Sequence, residues 1–406
     1  MKKYILFYFL CLLFIFQAPV KSQHLTSHTS STARGNFGIP SERQPLRRGL
    51  FVSVIQDPPV LSSREEITKL VDFAKKIRVQ ILFVQIYRAN KAWFASKVGD
   101  SQPYEASLKS VSQDPFALLI KEAHASGIEV HAWLNLLSLS GNGDAKLLKK
   151  YGTEILTKNL KEKKTLDDYK IDNQYFLEPG DLRVREELSN TVEEILRAYP
   201  ALDGVQFDYI RYPDKHPAYG YTKMNVGRFK KATGLETIKE ESKIWKDWKR
   251  DQVTGLLELL VKKTRAIRPD IQISTTGCMP YSRAYHEAFQ DWPSWLERGL
   301  VDFVTIMSYI KDTPEFERYI SDVKKKVPDF KKVNIAIGAY ALEHLPEAFE
   351  QQFQLCERAG GGACVILHYG SLLDDPALTS LLVEWYQAPW GHMLAFIEKT
   401  FFIKRN

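Results

Sequence analysis

Short apolar runs alternate with amphipathic segments along most of this 406-residue chain, starting at Gly49. Each apolar run is continuous and rich in Val, Ile, Leu and Phe, which is typical of parallel strands that are covered on both faces. The intervening segments carry apolar residues three and four positions apart, which predicts helices with one buried face. This alternation predicts an α/β fold in which strands and helices follow each other along the chain.

The pattern predicts eight strands and eight helices. The predicted strands are Leu50–Ile55, Val79–Ile86, Ile128–Leu134, Gly204–Tyr209, Ile271–Thr275, Val301–Met307, Val333–Ile337 and Ala363–His368. The predicted helices are Arg64–Ile77, Pro115–Ser126, Leu182–Ala198, Asp247–Ile267, Pro293–Arg298, Glu315–Lys326, Pro346–Ala359 and Pro376–Tyr386. Eight such units favour a (β/α)8 TIM barrel that forms a single catalytic domain. The alternative is a doubly wound open sheet, but the turn after the first strand lacks the glycine-rich sequence typical of that fold.

The N-terminal segment differs from the rest of the chain. Lys2 and Lys3 precede an unbroken apolar run, and small or polar residues follow as far as Ser22. This order predicts a secretory signal peptide, because the apolar run is short for a membrane span. The predicted consequence is export to the periplasm or the cell exterior. An uncleaved anchor that contacts the membrane surface is the alternative.

The predicted domain organisation follows from these two patterns. Residues 1–22 form the signal peptide and residues 23–48 a linker or N-terminal arm, because that stretch lacks periodicity. The predicted barrel domain spans residues 49–387, and residues 388–406 form a C-terminal extension.

Composition narrows the classes of function. The net charge of +7 is mildly basic, but no basic run is interleaved with base-stacking aromatic residues, so nucleic acid is not an expected partner. Beyond the signal peptide the cysteines are Cys278, Cys356 and Cys364. They allow at most one disulfide, and buried free thiols are the favoured interpretation. The histidines are scattered without metal-ligand spacing, so neither a metal nor a cofactor is predicted.

The most informative stretch is Asp203–Pro213, which ends the fourth predicted strand. It places Asp208, Tyr209 and Arg211 at the C-terminal end of that strand, where TIM barrels carry their chemistry. Other predicted strand ends carry aromatic, arginine and asparagine residues, which can stack on sugar rings and bind hydroxyl groups. The predicted substrate-binding residues are Arg88, Asn90, Trp93, His131, Trp133, Asn135, Tyr209, Arg211, Tyr309, Tyr340 and Tyr369.

Several of these residues have a structural interpretation as well. Trp93 and Trp133 could cap the barrel core, and His131 could be a hydrogen-bonded residue of the interior. The arginines could serve to neutralise nearby acids. The prediction of a sugar site therefore depends on the concentration of such residues at the strand ends.

Five blocks of sequence resemble one known family. They are Gly49–Val52, Tyr87–Phe94, Glu122–Asn135, Pro179–Arg185 and Asp203–Pro213. Together they are similar to the family-10-like glycosyl hydrolases of bacterial envelopes. This resemblance implies a TIM barrel and glycoside hydrolysis. It also implies peptidoglycan glycan strands, especially strands without stem peptides, as the substrate of some members.

A looser resemblance is to the chitinase-type glycosidases of family 18. Their fourth strand ends in Asp-x-Glu, whereas here Ile210 occupies the position of the glutamate. On the sixth strand Met307-Ser-Tyr309 matches their pattern in part. Substrate-assisted cleavage is therefore not implied.

Cleavage of a glycosidic bond usually needs two carboxyl groups. Asp208 is the first predicted catalytic residue because of its strand end and the neighbouring Arg211. Glu178 is the leading second candidate, since it directly precedes a Pro-Gly turn, although relatives often carry Asn or Asp at that position. The alternatives are Asp181, Glu287, Asp312 and Glu343. Whether the stereochemistry is retaining or inverting stays open.

The sequence thus predicts a glycoside hydrolase whose partner is a cell-envelope polysaccharide or oligosaccharide, most specifically peptidoglycan glycan strands. A barrel that binds glycan without cleaving it is the main alternative. A metal-dependent deacetylase is disfavoured because its ligand motif is missing.

Overall fold

The computed structural model describes residues 46–214 and 217–387. The predicted signal peptide, most of the predicted arm and the C-terminal extension lie outside these residues. Within them, no helix combines the length and apolar character needed to cross a membrane.

Eight parallel strands form a closed barrel. They are β1 (Arg47–Val52), β2 (Ile81–Arg88), β3 (Glu129–Asn135), β4 (Gly204–Asp208), β5 (Gln272–Gly277), β6 (Phe303–Ser308), β7 (Val333–Gly338) and β8 (Ala363–Leu367). Each strand pairs with its sequence neighbours, and β1 pairs with both β2 and β8. The predicted TIM barrel is therefore confirmed, and the open sheet is excluded because the sheet closes on itself.

The helices surround this barrel. They are α1 (Arg64–Lys76), α2 (Gln102–Val111), α3 (Pro115–Ala125), α4 (Lys146–Tyr151), α5 (Leu182–Ala198), α6 (Lys223–Thr233), α7 (Lys243–Ile267), α8 (Tyr281–His286), α9 (Trp292–Glu297), α10 (Thr313–Lys326), α11 (Pro346–Ala359), α12 (Tyr369–Asp374) and α13 (Pro376–Gln387). The eight predicted helices are present with small shifts at their ends. The helices α2, α4, α6, α8 and α12 were not predicted, because they are short or bury few residues; α2, for example, buries only Val111 fully.

Capping residues set several helix boundaries. Asp114, the predicted N-cap of α3, accepts a hydrogen bond from the backbone N–H of Ala117 at 2.8 Å. The helix predicted from Asp247 begins four residues earlier, because the Ser242 hydroxyl accepts a hydrogen bond from the backbone N–H of Trp245 at 3.3 Å. The predicted helix therefore lacked its first turn, which includes the fully buried Trp245.

The segment between β3 and α5 leaves the barrel before it returns. Its two short strands, Ser138–Ser140 and Tyr175–Phe176, pair with each other in a separate antiparallel sheet. Another short strand, Lys91–Ala92, pairs with the end of β2. Both features belong to loops that follow the C-terminal ends of barrel strands, and the side chains of the candidate site lie at that end of the barrel.

The cysteines differ from their favoured interpretation. Cys356 in α11 and Cys364 in β8 form a disulfide, with Cα atoms 5.9 Å apart. Only Cys278 is a buried free thiol among the described residues. The expectation of free thiols was wrong for this pair, because α11 leads directly into β8 and brings the two residues together.

Candidate active site

A cavity of about 580 Å³ lies at the C-terminal end of the barrel, and all eight strands or the loops after them contribute to its wall. The polar side chains that line it are Ser53, Arg88, Asn135, Asp208, Arg211, Asp214, Thr276, Arg283 and His368. Its aromatic side chains are Phe51, Trp133, Tyr209, Tyr309, Tyr319 and Tyr340. The cavity thus has the mixture of rings, carboxylates and hydrogen-bond donors that a sugar site needs.

Asp208 ends β4 at the base of this cavity and is 4% exposed. Its Oδ2 accepts a hydrogen bond from Trp133 Nε1 at 3.0 Å. Its Oδ1 accepts hydrogen bonds from Thr276 Oγ1 at 2.5 Å and from the backbone N–H of Tyr209 at 2.7 Å. Arg211 Nη1 lies 3.5 Å from the same oxygen. Donors from three strand ends therefore fix the orientation of this carboxylate.

The donors to Asp208 are themselves held by packing. Trp133 lies edge-on to Phe51, with ring centroids 4.8 Å apart. The Arg211 guanidinium lies over the Tyr209 ring at 4.1 Å, and Tyr209 has a φ of +56°, which is unfavourable for a residue with a side chain. A strained residue immediately after an acid is typical of functional sites.

A second carboxylate, Asp214, lines the same cavity. Its side chain is 31% exposed, so it is more open to solvent than Asp208. Arg211 Nε lies 4.0 Å from its Oδ1, and Arg283 Nη2 lies 3.6 Å from its Oδ2. The two carboxylates are therefore bridged by one guanidinium. Sequence reasoning missed Asp214 because it follows Pro213, outside any periodic element; its spacing of three residues from Arg211 was the available signal.

Tyrosines and a histidine form the opposite side of the cavity. Tyr309 and Tyr340 meet edge to face with centroids 5.9 Å apart, and Tyr340 is 49% exposed. Burial raises the pKa of the Tyr309 phenol well above its ordinary value, so this group stays protonated at neutral pH. Burial also lowers the pKa of His368, which favours the neutral imidazole. This wall offers neutral donors and ring faces.

Eight of the predicted site residues line the cavity: Arg88, Trp133, Asn135, Asp208, Tyr209, Arg211, Tyr309 and Tyr340. Four of the predicted substrate-binding residues do not. Asn90 is fully buried and donates a hydrogen bond to Tyr87 Oη at 2.9 Å. Trp93 lines a separate small depression beside Val60. Tyr369 is buried against Phe73, with ring centroids 5.0 Å apart. The contacts of these three residues are those of residues with structural roles.

The fourth of these residues, His131, is fully buried inside the barrel, between the rings of Phe83 and Phe303. The facing residue is Gly204, where any side chain would overlap the imidazole. His131 precedes Trp133 by two positions and so points to the same interior, but it lies one layer deeper. Its structural interpretation is therefore the one that the geometry supports.

Glu178 lies apart from the cavity, although it was the leading second carboxylate. It is fully buried, and its Oε1 accepts hydrogen bonds from the Tyr212 hydroxyl and from the backbone N–H of Gly180. Burial raises the pKa of this carboxyl group. Its contacts are those of a structural acid in a buried polar cluster, and the second carboxylate that lines the cavity is Asp214.

The other acids considered from sequence also lie away from the cavity lining. Asp181 caps α5, where its Oδ1 accepts from the backbone N–H of Arg183 at 2.9 Å. Asp312 caps α10 through the backbone N–H of Glu315 at 2.7 Å. Neither Glu287 nor Glu343 is among the described residues that line the cavity.

The cluster around Glu178 includes a buried lysine, Lys249 of α7. Its Nζ donates to the Pro217 carbonyl at 2.5 Å and lies 3.8 Å from the centre of the Phe289 ring. Burial lowers the pKa of Lys249 from 10.5 to about 7. This lysine therefore titrates near neutral pH in the folded state.

The lowered pKa of Lys249 predicts how the free energy of unfolding depends on pH. Between pH 7 and about 10.5, Lys249 is protonated in the unfolded chain and deprotonated in the folded chain. Its contribution to the free energy of unfolding should therefore rise with pH across this range. We expect the free energy of unfolding of wild type, relative to Lys249→Met, to rise between pH 7.5 and 9.5 by at most about 1.4 kcal/mol per pH unit. Urea unfolding across this range measures it. Lys262→Met, on the exposed face of the same helix, is the control; parallel curves for wild type and Lys249→Met would contradict the assignment.

Comparison with known proteins finds relatives among the glycosyl hydrolases. The family described as Glycosyl hydrolase-like 10 matches residues 48–355. The glycosyl hydrolase DigH of Escherichia coli K12 is 21% identical, over 86% of this chain and 88% of its own length. The glycosyl hydrolase YngK of Bacillus subtilis is 23% identical, over 65% of this chain and 51% of its own length.

Solved structures share the fold. An α-L-fucosidase from Paenibacillus thiaminolyticus superposes with a TM-score of 0.62 at 13% identity, covering 86% of this chain and 50% of that one. The catalytic domain of β-amylase from Paenibacillus polymyxa gives a TM-score of 0.54 at 11% identity, covering 84% of this chain and 97% of that one. At these identities the likeness extends to the barrel alone.

Proposed function

This chain belongs to the Glycosyl hydrolase-like 10 family, and from that premise we propose that it hydrolyses O-glycosidic bonds in peptidoglycan glycan strands with Asp208 and Asp214 as its pair of carboxyl groups. The observation that carries the proposal is the meeting of these two acids in one aromatic cavity at the C-terminal end of a glycosidase barrel. The family itself is one of glycoside hydrolases, so the proposal concerns the substrate and the mechanism.

The two carboxyl groups have environments suited to different roles. Asp208 is buried and held by donors, so its free electron pairs have a fixed direction, as a nucleophile or general base requires. Asp214 is more exposed, so it can exchange protons with solvent between turnovers, and we assign it as the general acid that protonates the leaving glycosidic oxygen. Asp208 would then attack the anomeric carbon, or take a proton from the attacking water. The separation of the two groups in the substrate complex decides between these routes.

A second depression supports a polymeric substrate. It has a volume of about 390 Å³ and shares Met279, Pro280 and Tyr319 with the wall of the main cavity. Tyr281 adds another ring to its lining, and the Lys326 ammonium lies 4.9 Å from the centre of that ring. An adjacent depression of this size would hold a sugar unit beyond the two that flank the cleaved bond.

We also propose that the protein acts outside the cytoplasm. The apolar N-terminal run is one support for export. The disulfide between Cys356 and Cys364 is another, because such bonds persist in oxidising compartments. Peptidoglycan is located in the same compartment.

The test is incubation of the purified protein with glycan strands from which an amidase has removed the stem peptides. We expect shortened oligosaccharides by liquid chromatography and mass spectrometry, with new reducing ends formed in proportion to time. The Asp208→Asn variant, which keeps the side-chain size, should bind the strands without shortening them. If wild type binds the strands and releases no products, the chain is a glycan-binding module instead.

A further inference from the structure

The cavity has an unequal balance of charges. Three guanidinium groups line it, from Arg88, Arg211 and Arg283, against the two carboxylates of Asp208 and Asp214. Two of the arginines form ion pairs with the acids: Arg211 contacts both carboxylates, and Arg283 contacts Asp214. Arg88 is different, because its side chain forms neither an ion pair nor a hydrogen bond with any described residue. One positive charge is therefore left to face the cavity.

The backbone around Arg88 is held firmly. Arg88 ends β2 and pairs with Lys91 of the short antiparallel strand, so Ala89 and Asn90 form a two-residue turn with φ values of +54° and +57°. The buried Asn90 side chain fixes this turn by donating to Tyr87 Oη and to the Val98 carbonyl, at 2.9 and 3.3 Å. Asn90 thus positions the arginine.

Arg88 lines the same cavity as the two carboxylates and lies on a strand close to Asp208. The strand between β2 and β4 is β3, which supplies Trp133 to Asp208. Tyr209, directly after Asp208, lies close enough to Arg88 for its charge to act on the phenol. A ligand group beside Arg88 would therefore belong to a sugar unit bound next to the acids.

We propose that Arg88 binds a carboxylate on the glycan and so selects strands whose sugar carboxylates are free. A guanidinium can bind both oxygens of a carboxylate in one plane, an arrangement that a neutral amide cannot match. In peptidoglycan the lactyl carboxylate of muramic acid is free after removal of the stem peptide and is an uncharged amide before it. The inference rests on the proposed function and adds the group that is recognised.

The experiment compares two forms of the same amidase-treated strands: one unmodified and one with its carboxylates reduced to alcohols by carbodiimide and borohydride. We expect wild type to show kcat/KM at least about 10-fold higher on the unmodified strands. Arg88→Gln should lose about 10- to 100-fold on the unmodified strands, mainly through KM, and change less than about 2-fold on the reduced strands. Arg88→Lys should restore part of the preference, because it keeps the charge without the planar geometry.

A matched control is Arg197→Gln, which removes an exposed arginine at the far end of α5. It should behave as wild type.

Oligogalacturonate, an acidic glycan with a different backbone, tests whether a uronic acid carboxylate is accepted equally well. If it is cleaved at a comparable rate, Arg88 selects for any sugar carboxylate.

Equal activity of wild type on the two forms would overturn the proposal, as would an equal loss in Arg88→Gln on both. Binding to the Asp208→Asn variant, measured by calorimetry with and without Arg88→Gln, gives a readout that needs no cleavage. If wild type cleaves neither form, the proposed function fails. The role of Arg88 is then decided by binding alone, and equal affinity for the two forms refutes it.

Discussion

Replacement of Asp208 by asparagine is expected to lower kcat on glycan strands by about 10²- to 10⁴-fold while the barrel stays folded. An amide cannot attack the anomeric carbon or accept a proton, although it fills the same space. Its NH₂ group would also face a donor, either Trp133 Nε1 or the groups around Oδ1. A loss of about 1–3 kcal/mol in the free energy of unfolding should therefore accompany the loss of activity.

Steady-state kinetics together with thermal unfolding separates these two effects. Thr276→Ser is the matched control, because it keeps the hydroxyl that donates to Asp208 Oδ1. This variant should stay within about 3-fold of wild type. Near-normal turnover in Asp208→Asn would remove Asp208 from the chemistry and mean that another group acts as nucleophile or base.

The second large effect is expected at Asp214, and Glu178 provides the contrast. Asp214→Asn should lower kcat by about 10²-fold or more on glycan strands, because the leaving oxygen would depart without a proton. On an activated dinitrophenyl glycoside of the same disaccharide the loss in kcat/KM should be small, since that leaving group needs no acid. Glu178→Gln should leave kcat within about 3-fold, because the buried acceptor for Tyr212 and Gly180 is kept.

The reverse result would restore the assignment made from sequence. A large loss of kcat in Glu178→Gln, with Asp214→Asn active on both substrates, would mean that the loops move Glu178 into the cavity in the complex. Pre-steady-state kinetics on the activated glycoside adds a direct check. A burst of the phenol in Asp214→Asn would indicate that a covalent intermediate on Asp208 accumulates.

The barrel and the first acid were predictable because both depend on local pattern. Continuous apolar runs specify strands that are buried on both faces, and the end of the fourth run places Asp208 in the site. The location of Glu178 was not predictable in this way, because its Pro-Gly turn resembles the end of a barrel strand. It follows Tyr175–Phe176 instead, a strand of the separate two-stranded sheet, so its side chain enters another part of the core. No periodicity distinguishes these two kinds of strand.

Burial depth was the other quantity that the sequence did not provide. His131 and Trp133 both point into the barrel, but only the residue nearer the strand end reaches the cavity. Asn90 follows a strand end as a sugar ligand would, yet its amide is used to hold a turn. Whether such a side chain lines the cavity or holds the structure depends on contacts between residues far apart in sequence, which three-dimensional packing determines.

The arrangement of the cysteines has a consequence for oxidative maturation. The native bridge joins the two cysteines closest in sequence, and a short loop is the one that a disordered chain closes with the smallest loss of entropy. Among the described residues the remaining thiol is Cys278, which lies in the cavity wall, where burial raises its pKa to about 11. Only the thiolate exchanges with disulfides, so this residue is protected once the barrel has formed. With the export that we propose, the native disulfide would therefore form with little need for a shuffling enzyme.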